Sequence, residues 1–165
     1  MTRKFDYIIA IDPDVDKSGV ALLDVRQRQL TDVSSKSFED IMSLLYVLTL
    51  KEHRNDTLVV VEAGYVNRKA SWHTVPGMSA NAAAKTGYNT GRNHQRAIDI
   101  VGFARFMGFD VAEQPPLRKI WKGKDHKITH EELTKIVGGF AKRSNQDQRD
   151  AVLLAWNAAG LPIKM

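Results

Sequence analysis

The segment TLVVVEA, residues 57–63, restricts the fold most strongly, because it is apolar at almost every position. A strand with one face in solvent alternates apolar and polar residues, whereas a continuous apolar run is typical of a parallel strand that is covered on both faces. Covering both faces of a sheet requires helices on both sides. The segment therefore favours an α/β domain.

Three shorter β-rich segments precede this strand, and their close spacing favours an antiparallel meander. They are FDYIIAI (5–11), SGVALLDV (18–25) and QLTDVSSKSF (29–38). A helix follows, because Ser37 and Asp40 form a capping-box pattern ahead of an apolar stripe at helical spacing. The stripe consists of Ile41, Leu44, Leu45 and Leu48. A helix between the meander and the strand at 57–63 predicts that this strand runs parallel to one of the first three.

The rest of the chain continues the alternation of helices and strands. Residues 64–90 show poor periodicity and are predicted to form a long loop with some helix inside, followed by a helix near 91–107 and a strand at 108–114. Thr129 and Glu132 predict the start of a further helix over 129–139, and the last helix is expected from near Asn145 to Gly160. The order predicts a mixed five-stranded sheet, with three antiparallel strands and then two parallel strands, in one domain spanning 1–165.

The composition narrows the classes of function. The absence of cysteine excludes disulfides, zinc thiolate sites and cysteine nucleophiles. No apolar run approaches 18 residues and no signal peptide is recognisable, so we expect no membrane span and a cytoplasmic location. The net charge of +5 points to a polyanionic partner. Positive charge is concentrated in residues 63–98, which contain no Asp or Glu, and in the segment LRKIWKGKDHK (117–127).

Four acidic residues lie where an α/β fold would bring them together. Asp12 ends the first strand, Glu62 ends the parallel strand, and Asp147 and Asp150 are three apart at the start of the last helix. Each acid alone also fits a turn or a helix N-terminus. Ligands of open α/β sheets bind beyond the carboxyl ends of the strands, and carboxylates that converge there need a cation to offset their repulsion. Oxygen ligands suit Mg²⁺ or Mn²⁺, and two such ions are the usual catalysts of phosphodiester displacement.

The motifs IIAIDP with SGVALLD after it, VVVEAGY, and DQRDAVLLA resemble, in order and spacing, those of the RuvC-type Holliday-junction resolvases in the ribonuclease H-like superfamily. The resemblance implies a ribonuclease H-like fold and a homodimeric, Mg²⁺-dependent endonuclease that nicks four-way DNA junctions symmetrically. By position, Asp12, Glu62, Asp147 and Asp150 would be its catalytic metal ligands. The family's Gly after IDP is Asp14 here, and residues 67–89 match poorly, which suggests a phage or mobile-element branch.

The resemblance also suggests residues that contact DNA. Tyr65 falls where the family has an aromatic residue implicated in stacking on junction bases, although it also fits a packing role at the rim of the site. The candidates for contacts to the DNA backbone are Arg68, Lys69, Lys85, Arg92, Arg96, Lys119, Lys122 and Lys124. One of the last three lysines is expected to stabilise phosphate charge in the transition state. Trp72 and Trp121 either stack or pack, and Trp156 is expected in the core.

Other functions fit parts of the pattern. The chain could be another ribonuclease H-like nuclease that acts on RNA–DNA hybrids or branched DNA, or a junction-binding protein without catalysis. The actin-like and sugar-kinase superfamily begins with a similar hairpin, but those proteins need a second such domain and a Gly-rich phosphate loop, which the sequence lacks. The sequence does not decide the cleavage preference, the choice between Mg²⁺ and Mn²⁺, or whether a branch-migration helicase is a partner.

Overall fold

The computed structural model describes residues 5–67 and 76–163, and its centre is a five-stranded mixed sheet. The strands are β1 (Tyr7–Asp12), β2 (Ser18–Asp24), β3 (Gln29–Lys36), β4 (Thr57–Glu62) and β5 (Asp110–Gln114), in the spatial order β3-β2-β1-β4-β5. The first three strands form an antiparallel meander, β4 pairs parallel to β1, and β5 pairs parallel to β4. The predicted topology is confirmed.

The two faces of the sheet are buried under different helices. The helices of the described ranges are α1 (Phe38–Leu50), α2 (Ala80–Phe106), α3 (His130–Val137) and α4 (Gln146–Ala158). Ile8 and Val60 pack toward α4, whereas Ile9 and Val59 pack toward α1 and α2. Alternate residues of β1 and β4 therefore face two apolar layers, which explains why TLVVVEA is apolar throughout. No helix of the described residues is long and apolar enough to cross a membrane.

Helix α2 is continuous from Ala80, whereas the sequence predicted a long loop with some helix inside over 64–90 and a separate helix near 91–107. Ser79 caps the helix, because its side chain accepts the N–H of Ala82. The first turns carry alanines with high helix propensity, but most of their side chains are exposed, and the buried positions start at Ala97. Hydrophobic periodicity detects only a helix that buries one face, so it missed these turns.

Helix α4 packs very closely on β2. A Cβ atom added to Gly19 would lie 2.0 Å from the backbone oxygen of Asp147 and 2.2 Å from its carbonyl carbon. Only glycine leaves room for the start of α4 at this point. The contact fixes the distance between the sheet and the helix turn that carries Asp147.

We predict that Gly19→Ala destabilises the fold by ~1–3 kcal/mol, because the added methyl group collides with backbone rather than with a movable side chain. Gly102→Ala is the matched control. Gly102 lies inside α2 with open space around its Cβ position, so this substitution should stabilise by about 0.5–1 kcal/mol. Urea unfolding of both variants measures the two effects. Equal stability of wild type and Gly19→Ala would contradict the close approach.

Candidate functional site

Strands β1 and β4 bring two carboxylates to the same edge of the sheet. The parallel register pairs Ile11 with Val61, so Asp12 and Glu62 follow side by side at the ends of their strands. Both side chains are half-buried. Adjacent parallel strands thus place one acid each at the carboxyl edge, where α/β proteins bind their ligands.

The start of α4 is fixed over this edge by polar contacts to β3. Asn145 caps the helix by accepting the N–H of Gln148 at 2.9 Å, and Gln148 completes a capping box. The side chains of Asn145 and Gln148 also donate to the Ser35 hydroxyl, at 2.9 Å and 3.1 Å. These contacts hold the first turns of α4, which carry Asp147 and Asp150, against the sheet.

One cavity, of about 320 Å³, is lined by Asp12, Glu62, Asp147 and Asp150 together, and we call it the acid cavity. The four residues come from three separate parts of the chain, and the expected convergence of their side chains is therefore present. The catalytic and metal-binding roles assigned to them stay predictions.

Burial raises the pKa values of the four acids, and neighbouring carboxylates add to the rise at three of them. Burial raises the pKa of Asp12 well above its ordinary value, and the charges of Glu62, Asp150 and Asp147 add to the effect. Burial and the charge of Asp150 raise the pKa of Glu62 from 4.5 to about 7. The pKa values of Asp147 and Asp150 are raised as well, mainly by burial. The cavity therefore disfavours four negative charges at neutral pH unless positive charge compensates them.

Lys127 supplies part of that charge, although no sequence motif indicated it. Lys127 lines the acid cavity, and its charge lowers the pKa values of all four acids against the rise caused by burial. Lys119, which was predicted to contact the DNA backbone, also lines the cavity and lowers the pKa values of Glu62 and Asp150. Only the position of Lys127 within the basic segment 117–127 could have indicated it.

A tight loop places Lys127 beside the acids. Gly123 donates its N–H to the Lys127 carbonyl oxygen at 3.0 Å, and a Cβ atom on Gly123 would lie 2.4 Å from that oxygen. The buried Glu132 carboxylate accepts the N–H groups of Lys122 at 3.1 Å and Thr129 at 3.0 Å. Helix α3 thus holds both ends of the loop in place.

Asp14 lies in the turn between β1 and β2 and contributes charge to the site. Its carboxylate accepts the N–H of Asp16 at 3.0 Å and the side-chain amide of Asn93 at 3.4 Å. The Asn93 side-chain oxygen accepts the N–H of Val15 at 3.2 Å, which joins α2 to the β1–β2 turn. The charge of Asp14 contributes to the raised pKa of Asp147.

Tyr65 makes a hydrogen bond that a phenylalanine could not make. Its hydroxyl group donates to the Glu113 carboxylate, which also pairs with Arg105 at 2.5 Å. Burial and this bond raise the pKa of Tyr65 to about 12. The ring contacts His94 edge-on, with 6.3 Å between the ring centroids.

The predicted DNA-contact residues differ in their exposure and in their contacts. Lys85 and Arg92 are exposed on α2, and Arg92 lies 5.4 Å from the centre of the Tyr88 ring. Arg96 is already engaged, since it lies 4.4 Å from the centre of the Phe38 ring and donates to the Val15 carbonyl oxygen. Lys122 and Lys124 are exposed and, unlike Lys119, do not line the cavity. Arg68, Lys69 and Trp72 lie outside the described residues.

The other two tryptophans are buried. Trp156 packs in the core, as predicted, and its ring N–H donates to the Pro162 carbonyl oxygen at 3.1 Å. Trp121 packs in the same cluster and also lines the acid cavity. Its ring nitrogen has no hydrogen-bond partner among the described residues. Packing is therefore the role that the structure gives to Trp121.

The donor set fits a hard divalent cation. The acid cavity offers carboxylate oxygens and no sulfur. Because burial raises the pKa values of these carboxylates, a bound cation would stabilise their ionised form. Within residues 5–67 and 76–163, no three Asp, Glu or His side chains are already grouped as a complete set of ligands. The four acids share one cavity, and their oxygen atoms are suitable ligands for Mg²⁺ or Mn²⁺. Their side chains would have to move closer together to coordinate the ion.

No protein-family model matches the sequence, and no curated protein does. Among solved structures, the chain is similar to T. thermophilus RuvC in complex with a Holliday junction substrate, with a TM-score of 0.53, 16% identity, and coverage of 93% of this chain and 96% of that chain. A second Thermus thermophilus RuvC structure matches with a TM-score of 0.51, 15% identity and the same coverage. The fold is therefore the ribonuclease H-like fold of RuvC, as the motifs predicted.

We predict that the metal-free protein loses stability as the pH rises from about 4.5 to about 7. The folded state holds a proton on Glu62 that the unfolded state has already released in this range, so folding is favoured at the lower pH. Glu62→Gln should make the loss smaller. The midpoint of urea unfolding, measured in chelator at several pH values, reports the effect.

The control for this prediction is Glu52→Gln, which changes an exposed carboxylate just after α1, at the opposite edge of the sheet. It should keep the full dependence on pH. An identical dependence in wild type and Glu62→Gln would show that Glu62 does not carry the effect.

Proposed function

We propose that this protein is a metal-dependent endonuclease that nicks four-way (Holliday) DNA junctions by hydrolysing phosphodiester bonds. The observation that carries the proposal is the convergence of Asp12, Glu62, Asp147 and Asp150 on one cavity at the carboxyl edge of β1 and β4. The RuvC-like fold supports it, since one of the similar structures is RuvC with a Holliday junction substrate. Fold alone would not decide the function.

The four acids would hold Mg²⁺, with two ions expected and Mn²⁺ as the alternative. When bound, such ions supply the positive charge that activates water and stabilises the leaving oxygen. The side chains around the acids prepare the site. Gln146 donates to Asp150 at 2.7 Å and fixes one carboxylate oxygen, and Lys127 and Lys119 lie where a scissile phosphate would need compensating charge.

Positive side chains on α2 and in the segment 117–127 would hold the DNA backbone. Lys85 and Arg92 provide exposed charge on α2, and Lys119, Lys122 and Lys124 provide it in the segment. Phosphate contacts of this kind position a strand without reading its sequence, and their strength falls with salt. A homodimer would present two such sites to one junction and would explain paired, symmetric nicks.

We predict that Glu62→Gln and Asp150→Asn each abolish nicking of a synthetic mobile four-way junction but still bind it, because the phosphate contacts come from other residues. The assay is run with Mg²⁺, with Mn²⁺ and in chelator, and Glu52→Gln is the matched control that should nick like wild type. RNA–DNA hybrids and flaps are tested in parallel. Preferential cleavage of these would favour a different ribonuclease H-like nuclease, and junction binding by wild type without any nicking would favour a binding protein without catalysis.

We predict that Lys127→Met slows nicking by ~10²-fold while junction affinity changes little, because the loss of one positive group beside a developing negative charge acts mainly on the transition state. Single-turnover rates and binding isotherms separate the two effects. Lys51→Met, at the end of α1 on the opposite edge of the sheet, removes the same charge from a remote position and should nick at the wild-type rate. A loss of rate only in proportion to affinity would assign Lys127 to backbone binding.

A further inference from the structure

A second cavity, of about 240 Å³, adjoins the acid cavity, and we call it the side lobe. It shares Asp12 and Glu62 with the acid cavity. Its remaining lining includes Gly64 and Asn67 from the turn after β4 and Thr90 and His94 from α2. If the phosphate of a ligand lies at the acids, the group attached to that phosphate would therefore lie beside the side lobe.

The side lobe lacks the chemistry of a phosphate site. No lysine or arginine lines it among the described residues, and its polar groups, apart from the shared carboxylates of Asp12 and Glu62, are amides, a hydroxyl and an imidazole. Phosphates are held mainly by cationic side chains, whereas the edges of nucleobases are read by donors and acceptors of this uncharged kind. The lining therefore suits a nitrogen heterocycle better than a second phosphate.

Three of these polar side chains have unused hydrogen-bonding capacity. Within the described part of the chain, the side chains of Asn67, Thr90 and His94 make no hydrogen bond to another residue. The neighbouring Asn93, by contrast, is committed to Val15 and Asp14. Polar groups without partners in a cleft beside a candidate active site are suited to a ligand that supplies the missing donors and acceptors.

The imidazole ring is held in place by its surroundings. His94 lies so close to the turn after β4 that a Cβ atom on Gly64 would be 2.8 Å from its Nε2 atom. Tyr65 contacts the ring edge-on, and Tyr65 is itself held by Glu113 and Arg105. A polar group fixed in this way can discriminate between ligands, because it does not adjust freely to a wrong partner.

We infer that the side lobe binds the base of one nucleotide next to the scissile phosphate, an inference that rests on the proposed nuclease function. Asn67, Thr90 and His94 hydrogen-bond to the edge of this base, so the rate of nicking depends on its identity. The base must be unpaired to enter, and bases at the crossover of a four-way junction are less constrained than those inside a duplex.

The test begins by mapping the nicks that wild type makes in a four-way junction. The nucleotides flanking the nick are then replaced by each of the other bases and by an abasic site. Wild type should prefer one base at one flanking position by roughly tenfold or more. His94→Phe keeps a ring against Tyr65 but removes both nitrogens, and Thr90→Val removes only the hydroxyl. Each should reduce the preference to under about threefold, by the loss of one such contact.

Thr86→Val is the matched control, since Thr86 lies one turn earlier on α2 and its hydroxyl donates to the Ala82 carbonyl oxygen. It should keep the wild-type preference. Equal nicking at all bases by wild type, or an unchanged preference in both His94→Phe and Thr90→Val, would overturn the inference while leaving the nuclease function standing. Absence of metal-dependent nicking by wild type would remove the proposed function, and the inference with it.

A second readout does not depend on cleavage. The Glu62→Gln variant is bound to a junction that carries 2-aminopurine at the preferred position, because the fluorescence of this base rises when it leaves the stack. A rise on binding that is lost in Glu62→Gln combined with His94→Phe supports the side lobe as the base site. No rise, or an equal rise in both proteins, contradicts it.

Discussion

The repulsion between carboxylates gathered in one cavity is the interaction on which the account of this protein depends. Burial raises the pKa values of all four acids, neighbouring carboxylates add to the rise at Asp12, Glu62 and Asp147, and the pKa of Glu62 reaches about 7. A fold with no use for this cluster would be more stable without it, because buried charges of one sign are unfavourable. Lys127 and Lys119 compensate part of the charge, and a hard divalent cation would compensate the rest. The metal-dependent chemistry is inferred from this incomplete compensation together with the oxygen donors.

Most of the surrounding structure maintains the position of these acids. The parallel pairing of β1 and β4 aligns Asp12 with Glu62, and the absence of a side chain at Gly19 lets α4 approach the sheet. Polar contacts between the start of α4 and Ser35 hold the helix turn in place, and the loop tied by Glu132 brings Lys127 to the same cavity. Apolar layers cover both faces of the sheet, and the four acids occupy only its edge.

The order of the strands and the convergence of the four acids could be predicted from the sequence, because each depends on patterns within short segments. The apolar run of β4, the acids that end β1 and β4, and the caps at Ser37 and Thr129 are all visible in short segments. Other features depend on contacts between distant segments. Lys127 is one lysine in a basic segment until its loop is folded, and the side lobe forms only when α2 lies against the turn after β4. The start of α2 could not be located in the sequence because exposed alanines give no amphipathic pattern.

Calorimetric titration of Mn²⁺ into the wild-type protein and into Asp12→Asn, near pH 6 in buffers of different ionisation enthalpy, shows whether the four acids bind hard cations. We predict uptake of about two ions per chain in wild type, with release of protons, because carboxylates with raised pKa values must lose them to bind a cation. Asp12→Asn, which removes an acid whose pKa is raised well above its ordinary value, should lose most of this binding. Absence of uptake by wild type, or equal uptake by the two proteins, would mean that the acid cavity is not a metal site.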